Sequence, residues 1–554
     1  MVLTGEDAVA ELRRVERELD AHHRQLEALS HSGTALVRAL LRAFQLASIG
    51  RHLRFGRRDR PLQLLAAGDE LAEGLAQAVQ WVYQAGPGPA PPSEVDGPGD
   101  QEVRALLEHA RAYSVLCWWH VAVSRGICTV TYDTCARRFS FEYSDGSVRA
   151  GLASFNLALG KQLRDASFPA AWQATTALLP LVPRYAHVEP GGRLGVDWSV
   201  LSTKEGQTWI SAYGAVGGSE HPDDWSLGTY TLGQHARFRH TLALVAFVWQ
   251  AAFMLAWHTT SESSDILDAC LLVMLPNEWG HLLARASGLP ADTVQAIVGD
   301  LTYGPPSRRL DPLLQPFLPV GDPGLALAPA AVSATAAEAN ALRLMTRDPE
   351  RKRLYDDLST QKEGLFLAEI LPVVGGLGLP CATRRQSKGM AGDIDLLLLD
   401  RHTGVTLVVE LKWLLPALSP ADVFEEDDQL RRAVESQVVP AVAHVTREWS
   451  RLVPAWIPEA RGRQPGRVLG MVVSKHAGGT GKVFDPGVPV VEWTFLARVV
   501  GKDVGRGLAC VWRRCRNRPD RRQILSPAEW TQKRVRFLEY TYSVPGLRLP
   551  GDAK

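Results

Sequence analysis

Gly392-Asp393-Ile394-Asp395-Leu396-Leu397-Leu398-Leu399-Asp400-Arg401-His402-Thr403-Gly404 leads, after Val405, into Thr406-Leu407-Val408-Val409-Glu410-Leu411-Lys412. Two apolar runs rich in Leu and Val flank the segment Asp400 to Gly404. They predict a β-hairpin, because bulky and β-branched side chains suit a pleated surface and Thr-Gly suits a turn. Three charges lie inside these otherwise apolar strands. Alternation along a strand sends Glu410 and Lys412 to one face, and Asp395 on the neighbouring strand can reach the same place. Two carboxylates and an ammonium on a hydrophobic sheet are costly unless a metal ion or a substrate compensates them. Asp393 lies two residues before Asp395 and on the same face, so spacing alone does not choose between the two.

The surroundings of the hairpin are regular. Upstream, Glu363 to Val374 reads as a helix with apolar Leu365, Phe366, Ile370 and Leu371, halted at Gly375-Gly376, and it carries Glu369. Downstream, Phe424 to Trp449 reads as helical and carries Gln437, while Arg467 to Lys475 and Val488 to Trp493 read as later strands. Asp395, fourteen intervening residues and then Glu410-Leu411-Lys412 resemble the Asp…Glu-x-Lys signature of the PD-(D/E)XK nuclease superfamily. The order of the elements resembles its restriction-endonuclease-like αβββαβ core as well. The resemblance covers roughly residues 341–500. It favours Asp395 over Asp393, which is read as the end of the preceding turn.

The resemblance implies a metal-dependent phosphodiester hydrolase acting on nucleic acid, DNA more than RNA. Mg²⁺, or Mn²⁺ in its place, is a hard ion that prefers oxygen ligands, so Asp395, Glu410 and the carbonyl of Leu411 are the expected metal ligands. Lys412 would position or deprotonate the attacking water, or stabilise the charge developing on phosphorus. Glu369 is expected to hold a second ion or support the first through water, and Gln437 to orient the site from its helix. The competing reading is a non-catalytic nucleic-acid-binding or interaction protein that keeps the same scaffold.

The whole chain has 554 residues, enough for about three domains, with 61 basic and 60 acidic residues for a formal charge of +1. No global field attracts a polyanion, so a nucleic-acid surface must be local. Seven cysteines without a Cys-x-x-Cys pair predict reduced thiols in a cytoplasm, with neither a disulfide framework nor a structural zinc. The start of the chain, Met1 to Gly50, does not read as a secretory signal. Thr241 to Trp257 is apolar but at the short end of a membrane span and contains Gln250, so a buried helix and a protein without a membrane partner are expected. Oligomeric state is not legible.

The expected organisation is an α/β chain: a helical segment over 1–85, a mixed α/β region over 103–303, and the nuclease-like part over 341–554 with a basic C-terminal strip. Glu6 to Leu29 has the spacing of one amphipathic helix, Gly86 to Gly99 is a Gly/Pro linker, and Pro305 to Pro329 is a second Pro-rich passage closing the middle region. Thr129–Tyr132 and Phe139–Tyr143 read as strands. Residues 282–300, with Gly288 at the turn, could form a helix-turn-helix or an ordinary helical hairpin, the second helix having little positive charge. Arg513 to Arg536 carries nine basic residues with Trp512 and Trp530 interleaved, suiting either phosphate contact or solvated surface. Gly478-Gly479-Thr480-Gly481-Lys482 evokes a phosphate loop, but His476 stands at the first glycine position and Val483 replaces the Ser/Thr, so a plain loop is expected.

Overall fold

The computed structural model describes residues 1–554 except 32, 56–60, 86–98, 145–166, 190–192, 218–219, 260–263, 305–313, 322, 333–336, 348, 391, 416, 418–419, 477, 518–528 and 549–554. The chain is mixed α/β. Strand β1 (Val2–Leu3) leads into helix α1 (Gly5–His22), whose Leu12, Val15 and Leu19 are buried at steps of three and four. Leu26 and Leu29 fall past its end, around the 3-10 turn Glu27–Ser30. The two strand-like runs of the middle region form β2 (Cys128–Asp133) and β3 (Arg138–Tyr143), paired with each other.

Helices Gly33–Phe55, Pro61–Ala85 and Asp100–Ser124 do not form a separate unit. Leu40, Leu75 and Leu106 share one hydrophobic cluster with Phe238, Leu244 and Phe317, so the boundary expected between 1–85 and 103–303 crosses a continuous core. The Gly86–Gly99 linker lies almost entirely outside the described residues. Pro305 to Pro329 is no mere spacer: Phe317, Leu318 and Leu325 to Ala328 are buried in that core, and Leu325–Leu327 pairs with Leu272–Met274.

Helix α2 (Leu232–Thr259) is long and apolar enough to cross a membrane by length and composition, but Leu242, Leu244, Val245 and Val248 are fully buried in the same core. It also buries His235, with Nε2 3.1 Å from Asn340 Oδ1, and Arg239, which donates to the Val332 carbonyl at 3.1 Å. Each side chain thus finds at least one partner inside protein, as buried polar groups generally do. The expected helical pair exists as α3 (Pro276–Ser287) and α4 (Ala291–Asp300), joined through Gly288 in the left-handed region at φ 68°. The exposed positions of α4 include Ala291, Asp292 and Gln295 but no cation, so α4 lacks the charge of a groove reader.

The second core surrounds the hairpin read first. Helix α5 (Pro349–Gly376) begins fourteen residues before the predicted Glu363 start, and β4 (Cys381–Arg385), β5 (Ile394–Leu399) and β6 (Thr406–Lys412) follow it. Helix α6 (Pro420–Arg432), a π-helical turn (Ala433–Val438) and α7 (Val439–Trp456) then lead to β7 (Val468–Ser474) and β8 (Val490–Glu492). Helices α8 (Trp493–Asp503) and α9 (Leu508–Arg516) complete the layer. The sheet order is β8-β7-β6-β5-β4, with β4, β5 and β6 antiparallel and β6, β7 and β8 parallel.

Both faces of this sheet are covered, which explains an unbroken leucine run where a half-exposed strand would alternate. Leu396 and Leu398 pack with Phe366 and Ile370 of α5 and with Trp493 and Val511. Leu397 and Leu399 pack with Val445 and Trp449 of α7. Each such leucine contributes roughly 1.5–3 kcal/mol over leaving it exposed.

The chain's last described strands leave this body. Strands β9 (Glu529–Phe537) and β10 (Tyr540–Arg548) form a hairpin, and β10 pairs in parallel with β3, giving a sheet of order β1-β2-β3-β10-β9. Tyr540 and Tyr542 share a cluster with Leu12, Phe139 and Phe141. The expectation of one unit over 341–554 is therefore corrected: its end is built into a sheet with the start of the chain.

Candidate active site

Strands β5 and β6 pair as far as Leu396 opposite Val409, and one more step of that register would set Asp395 opposite Glu410. The ladder stops there. Leu411 N–H donates to Asp395 Oδ2 at 2.7 Å, so a side chain takes the amide at the point where the strands part. On the other flank the pairing steps from Leu396–Thr383 to Ile394–Arg385 and skips Arg384, which has φ 48°. A non-glycine residue there costs roughly 1–2 kcal/mol. Asp395 thus stands at a break in strand pairing on both sides, a place called the notch below.

Three charges share that notch. Lys412 Nζ lies 2.6 Å from Glu410 Oε1, with side-chain exposures of 19% and 8%. Burial raises the affinity of both carboxyls for a proton well above the usual carboxylate range. For Glu410 the next cause is the Asp395 charge, which raises it further, while Lys412 opposes. For Asp395 the Leu411 N–H and Lys412 oppose burial, and Glu363 and Asp393 add to it. Two carboxyls so placed hold uncompensated negative charge, the condition that invites a cation or a shared proton. One oxygen of each carboxylate is bonded, Oδ2 of Asp395 to Leu411 N–H and Oε1 of Glu410 to Lys412 Nζ.

The remaining expected residues divide. Asp393 is exposed and acts on Asp395 only through its charge. Gln437 is exposed on the π-helical turn. Trp449 Nε1 donates to Thr406 Oγ1 at 2.8 Å, tying α7 to the start of β6. Val438, next to Gln437, packs on Gly470, whose partner across the sheet is Val408, four residues before Lys412. Glu369 is the correction: it forms an ion pair with Lys475, whose ammonium lies over the Trp413 ring at 4.9 Å. The helical acid whose charge acts on both carboxyls is Glu363.

The basic strip is split and distant. Arg514 pairs with Asp503, and the guanidinium of Arg516 lies 5.5 Å from the Trp512 ring. Trp512 Nε1 donates to the Gly470 carbonyl at 2.8 Å, and Leu508 N–H to Asp400 at 3.3 Å. Helix α9 therefore lies at the hairpin-turn end of the sheet, about 17 Å of strand from Asp395. Lys533, Arg534 and Arg536 belong to β9 in the other sheet, and Arg518 falls outside the described residues. The Gly478–Lys482 loop, as expected, connects two strands. Its amides are taken: Gly479 N–H donates to Glu426 at 2.7 Å and Thr480 N–H to Asp427 at 2.8 Å.

Sequence reading missed the groups that fasten the notch to the rest of the molecule. Trp413 directly follows Lys412, is buried, and stacks on His221 at 4.7 Å. Lys362 is 1% exposed, and its Nζ makes no hydrogen bond among the described residues; it lies 5.8 Å from the Trp413 ring and 5.7 Å from Tyr355. Burial pushes its pKa down to about 8. A lysine one position before an acid on a charged helix carries no signal in sequence that it is buried. No protein-family model, no curated protein and no solved structure matches the chain.

Proposed function

We propose that this chain is a metal-dependent nuclease of the PD-(D/E)XK class, hydrolysing phosphodiester bonds in DNA. The observation that carries the reading is that Asp395 and Glu410 act on one another, with Lys412 bonded to Glu410, where the pairing of two central strands breaks off. The order of a helix, three antiparallel strands, a helix and a parallel strand around them supports a restriction-endonuclease-like core.

No group of three or more His, Cys, Asp or Glu side chains forms a ready metal cage among the described residues. A hard divalent ion that keeps several waters needs only one or two carboxylates, and an all-oxygen donor pair with excess negative charge fits that need. Asp395 and Glu410 would hold the ion, with the Leu411 carbonyl as third ligand. Bound Mg²⁺ or Mn²⁺ would supply polarisation of a phosphate oxygen and an acidified water. Lys412 places its ammonium where negative charge develops on the phosphate. Its carboxylate contact holds that ammonium in position before substrate arrives. Glu363 adds negative charge to the pair, and Gln437 orients the substrate or its water from its helix.

One observation favours a second reading. Lys412 is already engaged by Glu410, the arrangement expected if the scaffold merely binds nucleic acid and the charges neutralise one another. A single experiment separates the two. The purified protein is incubated with linear, circular and single-stranded DNA, with and without Mg²⁺ or Mn²⁺, beside Asp395→Asn, while Mn²⁺ binding is titrated by calorimetry. Metal-dependent cleavage and Mn²⁺ binding, both lost in Asp395→Asn, support the enzyme. DNA binding without either supports the scaffold.

A further inference from the structure

A groove of about 760 Å³ opens between the outer face of α5 and the segment Pro222 to Ser226. Leu354, Asp357, Leu358, Gln361, Gly364 and Leu365 line it from α5, a stripe at helical spacing. Trp225 backs the opposite wall. Leu354 is 37% and Leu365 40% exposed, large aliphatic side chains left in water at the groove walls. The polar groups in the lining are Asp224, Ser226, Asp357 and Gln361, with no lysine or arginine among them. Such walls repel a phosphate, yet they suit a flat apolar ring whose edge carries amino or imino donors. Carboxylates accept from the amino group of cytosine, and a glutamine side chain matches the edge of adenine.

The groove's position is as informative as its lining. Gly364 borders it and is next in sequence to Glu363, whose charge acts on Asp395 and Glu410. Where Gly364 would carry a Cβ, the nearest atom is Nη2 of Arg384 at 3.2 Å. Arg384 is the residue with φ 48° that interrupts the sheet beside Asp395. Its guanidinium reaches α5 at Gly364, while its backbone stands between the partners of Ile394 and Leu396, beside Asp395. Backbone strain of this kind persists where the surroundings demand it and concentrates at binding sites.

We propose that this groove receives one unstacked nucleobase of the strand to be cut, and that Arg384 holds the adjoining phosphate. The inference rests on the nuclease reading and sharpens it: the preferred substrate is single-stranded or locally opened nucleic acid, and the enzyme senses the base beside the bond. Leu354 and Leu365 flank the ring, Gln361 and Asp357 meet its edge, and Gly364 leaves the passage to Arg384 clear.

The test uses the full chain carrying Asp395→Asn, without divalent ion, so that binding is read apart from cleavage. Two fluorescent single-stranded 12-mers serve as probes, one of deoxycytidine and one of abasic sugar-phosphate. Anisotropy titration should show the deoxycytidine strand bound at least tenfold more tightly. Adding Gly364→Leu fills the groove, and its Cβ also presses on the Arg384 guanidinium, so folding is checked by circular dichroism. That variant, and separately Gln361→Ala, should erase most of the preference; Gln361→Ala, which leaves Arg384 untouched, should keep affinity for the abasic strand within about twofold. Equal binding of both strands by the Asp395→Asn protein, or a preference that survives Gly364→Leu, overturns the proposal while cleavage by the parent protein still upholds the nuclease. Binding of neither strand, together with no cleavage by the parent, overturns both.

Discussion

Two pairs of buried carboxylates lie in the same sheet-centred body and have opposite fates. Glu426 and Asp427 are consecutive on α6, and each turns to its own donor in the loop after β7: Gly479 N–H for Glu426, and both N–H and hydroxyl of Thr480 for Asp427. Asp395 and Glu410 come from neighbouring strands and turn toward each other. Burial raises the proton affinity of all four. The next influence differs. For Glu426 it is the Gly479 amide, which relieves the strain of burial; for Glu410 it is the charge of Asp395, which deepens it. Burial alone therefore does not mark a functional acid. What separates the pairs is order: Asp395's charge comes directly after burial for Glu410, whereas the Asp427 charge on Glu426 comes behind the Gly479 amide and Arg343, and the pair dominated by mutual repulsion is the one suited to a ligand.

The largest effect that tests this contrast is on rate. Lys412→Ala should slow DNA cleavage about a hundredfold or more, at least ~2.7 kcal/mol of barrier, with the fold retained by circular dichroism. Parent-like cleavage would place the chemistry elsewhere. Next comes the loop-holding pair: Asp427→Ala strands the fully buried Thr480 without its acceptors and should lower unfolding free energy by roughly 2–4 kcal/mol. A midpoint within error of the parent would erase the distinction between the pairs.

Proton linkage gives the third measure. Because protons compete for the raised carboxyls, Mn²⁺ affinity by calorimetry should fall by up to ~10-fold per unit as pH drops through their range. Flat affinity would show that the ion binds elsewhere. The fourth effect has the opposite sign to Asp427→Ala. A carboxyl with folded-state pKa above its unfolded value favours folding in acid and loses that contribution as pH rises through the folded value. Asp395→Asn keeps an acceptor for Leu411 N–H and should be more stable than the metal-free parent by on the order of 1 kcal/mol at neutral pH and above. The gain should vanish in acid, and a loss at neutral pH would contradict the strained notch. The smallest effect is Glu369→Gln, which breaks only a partly exposed pair with Lys475 and should change rate and stability by under ~1 kcal/mol. A metal-binding defect there would restore Glu369 to the site.

The hairpin and both later strands were legible because strand periodicity is regular and the turn is short, and Glu410 and Lys412, two apart on β6, meet at 2.6 Å. A register with period two leaves little freedom once Thr403-Gly404 is placed. The helical acid was not legible. Helix α5 starts at Pro349 rather than Glu363, and six residues separate Glu363 from Glu369, turning them to different sides of the helix. Only packing against Trp413 and Phe366 decides which side faces the notch. The core status of Phe317 and Leu325, in a Pro-rich passage, likewise depends on pairing with a strand some fifty residues earlier. Nothing in Arg513 to Arg536 announces that its two halves lie in different sheets' territories, because a charged run reads alike on any surface.

The parallel pairing of β10 with β3 has a consequence for how the molecule is made. Thr541 meets Arg138, so about 400 residues must be added between the emergence of one strand and that of its neighbour. At bacterial to eukaryotic elongation rates of roughly 5–20 residues per second, the edge of β3 waits about 20–80 s on the ribosome with its amides and the Phe139 and Phe141 cluster uncovered. During that interval the nascent chain offers a template for pairing with other strands, and a chaperone that shields extended segments would raise the yield of full-length protein more than it would help the sheet built around β5 and β6.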